Sequence, residues 1–210
     1  MQLLFLCNTS TTCLSHVVHG YAGNRSVVFP LQLNDFEVDN INTVQKCTHN
    51  RYPAFTGTLL SIDSFRAVID GLRKNNLLYR YDYVMTGYIS SKELLLEVAN
   101  TVKEMKENSS QPVTYLCDPV MGDIWPEIAQ DHSRGKMYIP ADILPFYQNH
   151  VVGLADILTP NQCELELLIG EGAISSESKM IATLKKHFPD KIVCVTSNLD
   201  LGTDHIVGYG

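Results

Sequence analysis

The sequence predicts an α/β protein of Rossmann type, a mostly parallel central sheet with helices on both faces. Two observations carry that expectation. Short apolar runs alternate with stretches whose apolar residues recur every three or four positions, the pattern of strands joined by crossover helices. Two of the apolar runs also lead directly into acidic, proline-containing segments, Asp118-Pro119-Val120-Met121-Gly122-Asp123 and Thr159-Pro160-Asn161-Gln162-Cys163-Glu164. Open α/β sheets bind ligands there, at the carboxyl ends of their strands.

In chain order, Ser61 precedes Ile62, Phe65, Val68, Ile69 and Leu72, one apolar helical stripe ending near Lys74. Tyr83-Val84-Met85-Thr86 reads as a short buried strand. Ser90 and Glu93 have capping-box spacing, and Leu94, Val98, Val102 and Met105 continue down one helix face. Val113 to Cys117 is the next strand. Pro140 opens a short helix, Ile157-Leu158 is a brief strand, and Asn161 to Ile169 is a helix with Gly170 suited to its end. Ser176 to His187 has helical period, and Lys191 to Thr196 is strand-like. Between these elements, Ile124 to Lys136 is the least regular segment, and its place directly after two acids suits a mobile loop or lid.

Composition narrows the function. With 210 residues and 45% hydrophobic content the chain supports one sizeable core, read as a single domain over residues 1–210. A net charge of -7 without a basic cluster argues against a nucleic-acid surface. No apolar stretch reaches membrane-spanning length, Met1 to Cys7 lacks a basic leader region, and the six cysteines are scattered without a C-x-x-C pair. They read as reduced thiols of a cytosolic protein.

Three constellations carry chemistry. Asp118 and Asp123 lie five residues apart across a Pro and a Gly, so a turn can point both acids at a hydrated Mg²⁺ on a polyphosphate; a cap and a turn residue are the alternative. In the second, Pro160 keeps Thr159 extended, Asn161 can cap the helix, and Glu164 falls in its first turn. Glu164 is then either a capping residue or a third acid, and three clustered acids are best explained by a cation. The third is Ser15-His16-Val17-Val18-His19-Gly20-Tyr21-Ala22-Gly23-Asn24. Its glycines permit tight turns, and Ser15 and His16 offer polar contacts.

Together these segments resemble the pyridoxal kinase family of the ribokinase-like superfamily. The matching pieces, in family order, are Ser15-His16-Val17 with Gly20 to Asn24, Asn42-Thr43-Val44-Gln45, Tyr83 to Tyr88, Cys117 to Asp123, Met137-Tyr138-Ile139-Pro140, Ala155 to Gln162 with Glu164, and Val195-Thr196-Ser197. The resemblance implies ATP-dependent phosphorylation of the 5′-hydroxymethyl group of pyridoxal, pyridoxine and pyridoxamine. Ser15, His16, Val44, Asn50 and Tyr88 would form the vitamin pocket. Asp118, Asp123, Tyr138, Thr159, Asn161, Glu164, Thr196 and Ser197 would surround ATP, with Asp118, Asp123 and Glu164 near Mg²⁺ and a monovalent cation such as K⁺ or Na⁺, and Tyr138 on a flap. A homodimer is implied as well.

Three departures qualify the expectation. The family pattern continues through a Gly-Thr-Gly-Asp segment whose Asp activates the substrate hydroxyl, and no Gly-x-Gly-Asp occurs in these 210 residues. The base is therefore expected beyond Gly210, no catalytic residue is assigned within the chain, and an unpaired sheet edge is expected at about His205 to Tyr209. At the amino end, residues 1–14 are atypical: Asn8-Thr9-Ser10-Thr11-Thr12-Cys13 stands where a smooth strand is expected, although Ser10 to Leu14 can still pair. Lys46, Asn50 and Arg51 replace an aromatic, a small hydroxyl residue and a glycine. Two alternatives follow, a hydroxymethylpyrimidine kinase within the same class, and a non-catalytic, truncated product that binds nucleotide or a partner.

Overall fold

Threonine-rich as it is, the segment before Ser15 forms a full strand. The computed structural model describes residues 8–50, 52–123, 136–137, 139–170 and 174–196. Contacts group the chain into two compact units, Met1–Tyr115 and Leu116–Gly210.

The first unit begins with β1 (Asn8–Val17), followed by α1 (Asn24–Leu33), β2 (Phe36–Lys46), the short β3 (Gly57–Leu59), α2 (Ile62–Lys74), β4 (Tyr83–Thr86) and α3 (Lys92–Asn108). Its strands run in the order β3-β2-β1-β4, with β1 parallel to both neighbours and β3 antiparallel to β2. Three hydroxyls of β1 have partners. Thr12 Oγ1 donates to Asn24 Oδ1 (2.8 Å), Ser10 Oγ to the Glu37 carbonyl (3.2 Å) and Thr9 Oγ1 to the Arg80 carbonyl (2.7 Å), so these three hydroxyls enter the strand already paired. Adjacent residues of β2 serve opposite faces: Ile41 lines an apolar cavity together with Phe65 and Ile69 of α2 and Val98 and Met105 of α3, whereas Asn42 accepts a hydrogen bond from Asn24 at the start of α1. Helices therefore cover both faces, as expected.

Two local expectations change. The α3 cap is Ser91, whose Oγ accepts from Leu94 N (3.2 Å), not Ser90. On α2, Ser61 caps as read and Phe65 and Ile69 are buried, but Val68 lies 44% exposed, at the edge of the face that Phe65 and Ile69 bury. Arg66 and Arg73 pair across to Glu97 and Glu104 of α3 at 2.8 Å on the solvent side, contacts of little energetic weight.

The division between units falls inside β5 (Thr114–Cys117). The second unit continues with β6 (Gly122–Asp123), β7 (Lys136–Met137), a 3₁₀ turn over Ala141–Ile143 behind Pro140, α4 (Leu144–Phe146) running into a π turn, β8 (Ile157–Leu158), α5 (Gln162–Ile169), α6 (Glu177–His187) and β9 (Ile192–Val193). β5, β8 and β9 are parallel neighbours in that order, and β6 pairs antiparallel with β7. Lys136 thus belongs to a strand, and the rest of the expected loop lies outside the described residues, as do Tyr138, Ser197 and the expected edge at 205–209. β9 is shorter than residues 191–196, although Cys194 N and Thr196 N still donate to the Leu158 and Pro160 carbonyls at 2.9 and 3.0 Å. No described helix is long and apolar enough to cross a membrane.

Candidate active site

In the first unit, Ser15 sits in a bulge. Leu14 pairs with Asn42 but His16 pairs with Gln45, so Ser15 faces two residues of β2, Thr43 and Val44. The loop after β1 then folds back, and Gly23 bridges His16. At φ 55° Gly23 occupies a conformation that disfavours side chains, and a Cβ there would stand 2.0 Å from the Ser15 carbonyl oxygen. Asn24 follows as a buried hub. Its amide donates to the Leu14 and Ile41 carbonyls and to Asn42 Oδ1 at 3.3, 3.1 and 2.7 Å. These bonds join β1, β2 and the first residue of α1, a positioning role that the Gly-Tyr-Ala-Gly-Asn spacing did not reveal.

Tyr88 reaches the same place from β4, since Thr43 Oγ1 donates to its carbonyl at 2.6 Å. Burial raises the Tyr88 phenol above its ordinary pKa. Val44 is buried, and the Nδ1 of His16 is a buried nitrogen without a hydrogen-bond partner, an atom available to a ligand or water. Ser15, His16, Val44 and Tyr88 are thus brought to one end of the β1–β2–β4 group. Asn50 is exposed on the turn between β2 and β3. That turn is organised by aromatic edges, with Tyr52 centred 4.8 Å from His49 and 5.9 Å from His19. The clustered His and Tyr residues at 49–52 were the only sequence signal for it.

In the second unit, Glu164 is both cap and acid. Asn161 Oδ1 accepts from Glu164 N and Glu164 Oε2 accepts from Asn161 N, each at 2.9 Å, closing a capping box on α5. Glu164 Oε1 also accepts from Met121 N (3.0 Å) and Gly122 N (3.5 Å), while Asn161 Nδ2 donates to the Gly122 carbonyl (2.8 Å). The turn after Asp118 is therefore fastened to the start of α5. Burial pushes Asp118 up to about 6. Burial, opposed by the main-chain amides and reinforced by the charge of Asp118, pushes Glu164 up to about 7. Two neighbouring carboxyls whose charged forms burial disfavours make a place where a cation is favoured.

Asp123 is half-buried on β6, paired with Lys136 in the strand register. Thr159 N donates to the Cys117 carbonyl at 3.1 Å, and Thr196 is exposed beyond β9. Among the described residues no group of three His, Cys, Asp or Glu converges to hold a metal ion. The arrangement is an acid pair, Asp118 and Glu164, with main-chain amides supporting Glu164.

No protein-family model matches the chain. The pyridoxal kinase of Sus scrofa is 43% identical over 200 residues, covering 93% of this chain and 60% of that protein. The Homo sapiens pyridoxal kinase is 42% identical, with 93% and 62% covered. Among solved structures, Leishmania donovani pyridoxal kinase in complex with ADP and pyridoxamine matches with a TM-score of 0.79 at 32% identity, covering 92% of this chain and 63% of that one. Entamoeba histolytica pyridoxal kinase gives the same TM-score at 29% identity, with 92% and 65% covered. The chain spans about 60% of the length of the curated relatives that it matches. The ordered motifs, the mostly parallel helix-covered fold and these likenesses agree: over the length they share, the chain belongs to the pyridoxal kinase family.

Proposed function

We propose that the protein is a pyridoxal kinase, transferring the γ-phosphoryl group of ATP to the 5′-hydroxymethyl group of pyridoxal, pyridoxine or pyridoxamine. The observation that carries this reading is the acid pair of Asp118, directly after β5, and Glu164, whose carboxylate is fastened to the 121–122 amides. Phosphoryl transfer demands positioning and charge neutralisation more than covalent help, and this pair supplies the second. In the first unit, Ser15 and His16 offer the polar contacts for the pyridine ring, Val44 and Tyr88 wall it, and Asn50 stands at the rim.

The acid pair fits Mg²⁺. Mg²⁺ keeps several waters and takes one or two protein carboxylates beside nucleotide phosphates, so a three-acid cage is not required. Asp118 and Glu164 would hold it, with Asp123 as the further carboxylate of the proposed set, and the ion would neutralise charge on the phosphoryl group. Thr159 and Thr196 offer hydroxyls to the nucleotide and Asn161 keeps Glu164 in place; Tyr138 and Ser197, outside the described residues, belong to the same proposal by the family resemblance alone. A monovalent cation such as K⁺ or Na⁺, a homodimeric state and a cytosolic location belong to the same proposal.

The absence of Gly-x-Gly-Asp favours a second reading for these 210 residues, ligand binding with slow turnover. General-base assistance is worth roughly 10² to 10⁴-fold. A coupled assay of pyridoxal phosphate formation, run beside the Sus scrofa enzyme, tests both. The expected result is formation that requires ATP and Mg²⁺ at a rate lower by about that factor. Comparable turnover would place a base within these residues. Faster phosphorylation of a hydroxymethylpyrimidine than of any B6 vitamer would overturn the substrate assignment.

A further inference from the structure

The segments that build the vitamin end of the first unit carry no acid. Residues 13–34, 40–62 and 83–91 contain neither Asp nor Glu, in a chain whose net charge is -7. Their basic and imidazole groups are His16, His19, Arg25, Lys46, His49 and Arg51. Lys46 holds the key position. It lies on β2 two residues beyond Val44, hence on the same face and about 7 Å further along, and its neighbours in register are Val17 and Gly57. The ammonium group rests over the Phe55 ring, 5.1 Å from its centroid, and no described carboxylate pairs with it. Arg25, the other cation of these segments among the described residues, is occupied by the Val18 carbonyl and the Tyr21 ring.

Resting on the vitamin-site reading above, we propose that Lys46 is a specificity-determining residue that makes this pocket discriminate against the ammonium-bearing vitamer, pyridoxamine, in favour of pyridoxine and pyridoxal. The chemistry is electrostatic. The three vitamers share the ring, its 3-hydroxyl and the 5′-hydroxymethyl group, and differ at the 4′ carbon, where pyridoxamine alone carries a positive charge at neutral pH. A cation held over an aromatic ring, with no paired carboxylate among the described residues, repels that charge and favours the ionised 3-hydroxyl common to all three. Two unit charges about 8 Å apart in a half-solvated site interact by roughly 1 kcal/mol, equivalent to about a fivefold difference in affinity.

Calorimetric titration of pyridoxine and pyridoxamine into the wild-type chain, Lys46→Met and Lys46→Arg tests this, with circular dichroism confirming that each variant is folded. Pyridoxine is used so that no imine between an aldehyde and the lysine enters the comparison. The wild type is expected to bind pyridoxine about fivefold more tightly than pyridoxamine, with Lys46→Met bringing the ratio toward one and Lys46→Arg retaining it. The wild-type preference should also shrink as salt is raised, as screening requires. Binding of both vitamers with a ratio that Lys46→Met leaves unchanged would overturn the role of Lys46 while sparing the vitamin site. Binding of neither by the wild type would overturn the vitamin site and this inference together.

Discussion

Glu164 holds the first turn of α5 with one carboxylate oxygen and the 121–122 turn with the other. For Asp118, burial is what pushes the carboxyl up, to about 6. Both acids lie above their ordinary values, so the folded chain binds protons more tightly than the unfolded one. The resulting stabilisation is complete below the unfolded values of 3.8 and 4.5 and is lost as pH rises through about 6 for Asp118 and about 7 for Glu164. Urea midpoints measured from pH 4.5 to 8 should therefore fall with rising pH more steeply in the wild type than in Asp118→Asn, and parallel curves would contradict the assignment. The cysteines offer a second check at this scale. Burial pushes the Cys13 thiol up to about 12, and Cys117 and Cys163 are buried, whereas Cys194 is exposed and hydrogen bonding from Thr56 lowers the Cys47 pKa. A thiol reagent at pH 7.5 should modify Cys47 and Cys194 first and reach Cys13 and Cys117 only on unfolding; mass mapping of the labelled peptides reads the order.

At the scale of elements, the loop between β1 and α1 depends on one close approach. Gly23→Ala places a methyl group against the Ser15 carbonyl in a backbone conformation suited to glycine, and it should cost at least about 1–3 kcal/mol in urea denaturation. A neutral result would mean that the loop does not fold back on Ser15. Helices with strong periodicity and a good cap were legible in the sequence, as α5 shows, where Asn161, Glu164 and Gly170 each take the part their spacing suggested. The α3 cap was misplaced by one residue because Ser90 and Ser91 are equally good acceptors, and only the tertiary fit of Leu94 and Leu95 to the core selects between them. β1 was obscured for a different reason. Its threonines look like loop until the Asn24 and Glu37 partners are known, and those are distant in sequence. The roles of Asn24 and Asn42 were illegible on the same ground, since side-chain amides bridging two strands leave no periodic trace.

For the whole molecule, the motifs in family order identified the fold and the family more firmly than any single site residue. The fold places Ser15, His16, Val44 and Tyr88 within one unit and Asp118, Asp123, Thr159 and Glu164 within the other. Under the proposed function the vitamin binds the first set and the nucleotide phosphates the second. Calorimetric titration of pyridoxine and of MgADP into the wild type, Tyr88→Ala and Asp118→Asn tests this division directly. Loss of a charge-assisted contact is worth about 1.5–3 kcal/mol, or roughly ten- to a hundredfold in affinity. Asp118→Asn should lose that much for MgADP and keep its pyridoxine affinity, whereas Tyr88→Ala should weaken pyridoxine and leave MgADP unchanged. Unaltered MgADP affinity in folded Asp118→Asn, or unaltered pyridoxine affinity in folded Tyr88→Ala, would contradict the assignment.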